Sequence, residues 1–87
     1  ADERSLTLVA QAIAGNSIPL EAALARKDEA LDVPLIAIWG YYRSIEAGDD
    51  RTMLEPAVRI MELALPHFPE PQLESAIKDA RDRLAGG

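Results

Sequence analysis

Apolar residues recur along this chain at three- and four-residue steps, the spacing that lays side chains on one side of an α-helix. In the first segment Leu6, Val9, Ala10 and Ile13 follow the i, i+3, i+4, i+7 rule. Asp2 or Ser5 stands where an N-cap is needed, and Gly15 with Asn16 ends the helix, since both accept the left-handed conformation. A second helix is expected from Pro19 to Ala30, with Leu20, Ala23, Leu24 and Leu31 on one side. Asp28, Glu29 and Asp32 crowd its C-terminal end and oppose the helix dipole, which predicts an early stop.

The third helix is expected from Val33 to Glu46, with Asp32 as N-cap and Gly48 just beyond its end. Leu35, Ile38, Trp39, Tyr42 and Ile45 keep helical spacing, and Ile36, Gly40 and Tyr41 widen the apolar arc. A helix apolar over so wide an arc belongs at the centre of a bundle. Trp39 and Tyr42 share the main stripe and are assigned to the core. Tyr41 lies about 100° round the helix and is the better surface candidate, flanked by Arg43, with a partly buried packing role as its alternative.

Thr52 and Glu55 have the spacing of a capping box and open a fourth helix, whose stripe is Leu54, Ala57, Val58, Met61, Ala64 and Leu65. Pro66-His67-Phe68-Pro69-Glu70-Pro71 cannot continue a helix, because each proline biases the preceding residue to extended backbone. A fifth helix follows from Pro71 to Leu84, with Leu73, Ala76, Ile77, Ala80 and Leu84 inward. Glu74 with Lys78 and Asp79 with Arg83 make i, i+4 pairs on its outer side. The expected fold is all-α: about five short antiparallel helices, as a helical-hairpin array or compact bundle, in a single domain over 1–87. Helix three is central, and helices four and five form the best-defined hairpin.

Proline suits the first turn of a helix, so the prolines read as helix beginnings. Pro56 and Pro71 follow Pro19 and Pro34 at an offset of 37 residues, a length within the range of helical repeats. The same shift pairs Leu24 with Met61, Leu31 with Phe68 and Ile36 with Leu73. At Ala57, Met61, Ala64 and Pro69 the chain resembles the second helix of a tetratricopeptide (TPR) unit, and Trp39-Gly40-Tyr41-Tyr42 is similar to that family's first-helix signature. The resemblance spans roughly residues 33–84, departing from the family register at Tyr42 and at the turn Gly48 to Arg51. It implies antiparallel helix pairs with a groove that binds a peptide or protein. A compact death-fold-like or effector-associated bundle has the same size and helix number.

Charge and cysteine content narrow the function. A formal net charge of −6 repels phosphate backbones and anionic lipid, so neither nucleic acid nor membrane is expected as a partner. No cysteine is present, which removes disulfides, thiolate ligands and thiol nucleophiles and agrees with a cytoplasmic setting. No apolar run approaches the ~18 residues that span a bilayer.

Candidate chemistry is sparse. His67 is the single imidazole and has no nucleophile at helical spacing. Glu46, Asp49 and Asp50 gather oxygen atoms around Gly48 without the pattern of a calcium loop. Ser5, Ser17, Ser44 and Ser75 lie in no nucleophile-elbow motif. No catalytic residue, metal ligand or cofactor is therefore assigned. The expected function is noncatalytic protein interaction, as an adaptor, scaffold or docking domain. Tyr41, Arg43, His67 and Phe68 are the partner-binding residues, because aromatic and arginine side chains dominate binding energy at interfaces. Homotypic oligomerisation is the alternative, and a small metal-binding protein or enzyme a more distant one.

Overall fold

α1 (Glu3–Ile13), α2 (Ile18–Ala25), α3 (Val33–Glu46), α4 (Arg51–Ala64) and α5 (Pro71–Gly86) follow one another in a computed structural model that describes residues 3–26 and 32–86. No strand occurs among the described residues. The fold is all-α, as the periodicity predicts. α2 stops at Ala25, and beyond Arg26 the rest of its expected span up to Ala30 lies outside the described residues.

Three of the four periodic prolines sit where their missing N–H is harmless. Pro19 and Pro34 lie in the first turns of α2 and α3, and Pro71 is the first residue of α5. Pro56 departs from the rule, standing inside α4. α4 begins five residues earlier because Asp50 nucleates it. The Asp50 carboxylate accepts hydrogen bonds from the Thr52 backbone N–H at 3.0 Å and the Thr52 hydroxyl at 2.7 Å. That cap replaces the expected Thr52 to Glu55 box. Pro56 deprives the Thr52 carbonyl of its helical donor, and Thr52 is an exposed residue.

α3 and α4 pack against each other most extensively, joined by a four-residue turn that reverses the chain. This pair, rather than α4 with α5, is the dominant hairpin. The turn needs two consecutive left-handed residues, Gly48 at φ 77° and Asp49 at φ 61°. α1 and α5 each contact both members of the pair, and α2 packs on α1. Leu20, Leu24, Val33, Leu54, Ile60, Met61 and Leu73 form the fully enclosed part of the core.

α1 presents a different side from the one its large residues suggest. Ser5, Leu8, Val9 and Ala12 face inward, whereas Leu6, Ala10 and Ile13 are exposed. Ser5 is thus a buried helical residue and not a cap, and Asp2 lies outside the described residues. The buried stripe contains small side chains, which let the α1 backbone approach its neighbours closely. After α4, the N–H groups of His67 and Phe68 both donate to the Ala64 carbonyl, at 3.0 and 2.9 Å, and Phe68 folds partly onto the core.

Candidate functional site

α3 carries two apolar faces, and packing selects the smaller-residue one. Val33, Pro34, Ala37, Ile38, Tyr41 and Ser44 are buried, and Ala37 and Ser44 allow close contact with α4. The Ser44 hydroxyl is satisfied within its own helix, donating to the Gly40 carbonyl at 2.7 Å. On the opposite side Leu35, Trp39 and Tyr42, spaced i, i+4 and i+7, face outward. Trp39 is 62% and Tyr42 50% exposed, while Tyr41 is only 7% exposed. The expected placement of these three aromatics is therefore reversed: Tyr41 belongs to the core and is not a surface contact.

The outward face of α3 meets Leu6 of α1 and Met53 of α4 to form a groove of about 710 Å³. Leu35, Ile36, Trp39 and Gly40 line it along α3. Ile36, Gly40 and Met53 also border a second hollow of about 320 Å³, which extends the apolar surface past Ile13 and Pro56. Gly40 matters here because it has no side chain to fill the floor. A Cβ at this position would lie 3.7 Å from that of Ala57. Two charges border the groove on α3, Asp32 at the helix start and Arg43 near its end. Arg43 is exposed and makes no ion pair among the described residues.

Behind this face lies a polar network that locks α3 in orientation. The Tyr41 hydroxyl donates to the Asp79 carboxylate on α5. Arg83 donates from Nε to Asp79 and from Nη1 to Asp49 in the α3–α4 turn, each at 2.7 Å. Burial, and then the bond to Asp79, push the Tyr41 phenol up to about 12. The hydrogen bonds from Tyr41 and then Arg83 hold the Asp79 carboxyl below the usual carboxylate range. Hydrogen bonds to Asp79 and then to Asp49 strengthen the Arg83 guanidinium's hold on its charge. These groups satisfy each other and are spent on structure. Asp79 pairs with Arg83 at the predicted spacing but toward α3 and not on the outer side of α5, where Lys78 pairs with Asp82 at 3.4 Å and not with Glu74.

Of the four residues expected to bind a partner, Arg43 lies on the main groove. Phe68 is half-buried and lines a smaller cleft with Pro34, Leu35 and Ile38. His67 is half-buried in the α4–α5 connector and lines neither surface. Tyr41 is removed by burial. Leu6, Leu35, Trp39 and Met53 are brought together without having been singled out. The signal for them is the Leu35, Trp39, Tyr42 spacing on a helix that already has a complete second stripe.

Among the described residues no cluster of three or more His, Cys, Asp or Glu side chains is arranged to hold a metal ion. Asp49 is engaged by Arg83 and Asp50 by Thr52. No described helix is long and apolar enough to cross a membrane. No protein-family model matches the chain, and no curated protein or solved structure matches it.

Proposed function

We propose that this chain is a noncatalytic protein-interaction module, an adaptor, scaffold or docking domain, whose α1/α3/α4 groove receives an amphipathic helix of another polypeptide. One observation carries the reading: Leu6, Leu35, Trp39 and Met53, from three different helices, stay exposed around a single groove floored by Gly40. A contiguous apolar patch of this kind marks an interaction surface more often than a scatter of single exposed residues does. A helix with apolar anchors at i, i+3, i+4 and i+7 is the natural occupant of such a groove. Trp39 is the anchor on this side, as a large, stiff side chain of the type that dominates interface energetics. The resemblance of the sequence at Ala57, Met61, Ala64 and Pro69 to a TPR unit points to the same reading, and the cytoplasm is the proposed setting.

Trp39 is the only tryptophan, so its fluorescence reports directly on the groove. The test is a titration with a designed helical peptide carrying leucines on one face and lysines on the other, matched to the acidic exterior. A blue shift and saturable binding are expected for the native chain, and Leu35→Asp should abolish both while leaving the helical circular dichroism intact. Binding that ignores Leu35→Asp, or no binding by any amphipathic helix, overturns the groove as the docking surface.

A further inference from the structure

We infer that the helix this groove accepts is α3 of a second copy of the chain, so that the module pairs with itself about a two-fold axis. The inference rests on the groove being a polypeptide-binding surface, and adds the identity of its occupant. α3 holds both halves of the match. Asp32 and Arg43, Leu35 and Gly40, and Ile36 and Trp39 are each centred on one point of the helix, between Ala37 and Ile38.

Laying two α3 helices antiparallel about an axis through that point makes each residue meet its mate. Arg43 of one copy meets Asp32 of the other, at both ends of a contact about 16 Å long at 1.5 Å per residue. Trp39 meets Ile36, and the bulky Leu35 meets the bare backbone of Gly40. A two-fold interface demands this self-complementarity, because one patch must serve as its own partner. The two ion pairs fix the register and oppose the repulsion between two chains of net charge −6. Antiparallel packing also sets the helix dipoles in the favourable sense.

Analytical ultracentrifugation of the full chain from micromolar to millimolar concentration tests the assignment. The native chain should show a monomer–dimer equilibrium. Arg43→Asp should weaken it roughly tenfold or more, because like charges then face each other twice per dimer. Asp32→Arg should do the same, and the double exchange should restore the dimer to within roughly threefold of native. Neither loss of folding nor loss of apolar contact predicts that rescue. Trp39→Ser should abolish dimerisation while leaving helical content unchanged, since the side chain is largely outside the core.

A chain that stays monomeric at millimolar concentration, or a dimer indifferent to all of these exchanges, overturns the inference. If that monomer still binds the leucine–lysine peptide at Leu35, self-pairing alone falls. If it binds no peptide, the docking groove falls with it.

Discussion

Tyr41 on α3 donates its hydroxyl to the carboxylate of Asp79 on α5, tying together two helices that also pack directly against each other. Arg83 extends the link to Asp49 in the α3–α4 turn. The outward aim of Trp39 is a consequence. With Tyr41 pinned inward, a residue two positions earlier on a helix points to the opposite side.

Tyr41→Phe keeps the ring and deletes one part-buried hydrogen bond to a charged acceptor. It should lower the unfolding free energy by about 1–2 kcal/mol, read from the urea midpoint at unchanged slope. Tyr41→Ala also removes the buried ring and should cost about 3 kcal/mol or more. A Tyr41→Phe chain as stable as the native one would show that the hydroxyl contributes nothing.

Alkaline pH probes the same bond. The phenol titrates near 12 in the folded chain against 10.0 as its ordinary value. The unfolded chain therefore gives up this proton first, and its release favours unfolding. The contribution of Tyr41 is complete below pH 10, declines above it, and is gone once pH passes 12. Native stability should fall across that window by on the order of 2 kcal/mol more than the stability of Tyr41→Phe. On the acid side the sign reverses, because the Asp79 carboxyl is held low. Its contribution is present above the usual carboxylate range and is lost as pH drops through the folded value. A pH series of urea melts on both proteins measures both limbs.

The helices themselves are legible in the sequence. Val33–Glu46 carries Pro34 in its first turn and ends just before Gly48, and Pro71 opens α5 after a proline-rich connector, because breakers act locally; Asp32, expected to cap α3, makes no side-chain cap bond. What periodicity does not resolve is which of two stripes faces inward. On α1 the pattern Leu6, Val9, Ala10, Ile13 competes with Ser5, Leu8, Val9, Ala12, and on α3 two stripes compete likewise. Side-chain volume favours one answer and close packing the other. The second wins where Ala12, Ala37 and Ser44 admit a neighbouring helix and where Tyr41 finds a distant acceptor, Asp79, 38 residues away. That bond depends on tertiary structure and leaves no local trace. The groove shares this origin, since its walls are the stripes that lost. Pro56 shows the converse, a breaker overridden by the Asp50 cap and the packing of Leu54, Ala57 and Val58.

Asp50 starts α4 with an extended backbone and a side chain bonded to both polar groups of Thr52. Asp50→Ala should cost about 1 kcal/mol. Asp50→Asn should retain most of that, because the amide oxygen still accepts. Native-state hydrogen exchange offers a local check, with faster exchange in the first turn of α4 than in the middle of α5. Uniform acceleration throughout the chain would argue against a capping role.

Gly40 separates folding from association. It lies inside α3, where glycine is less favourable than alanine by about 0.5–1 kcal/mol. The added methyl meets Ala57 at 3.7 Å, an ordinary van der Waals contact. Gly40→Ala should therefore stabilise the monomer by about 0.5–1 kcal/mol. The same methyl raises the groove floor that Leu35 of a second copy would occupy, and should weaken dimerisation by roughly threefold to tenfold. Melts must be run dilute, since dimerisation itself raises the apparent stability of the native chain at high concentration. A Gly40→Ala chain that melts higher yet dissociates more readily assigns the glycine to the interface. One that melts higher with undiminished pairing places the contact elsewhere on the molecule.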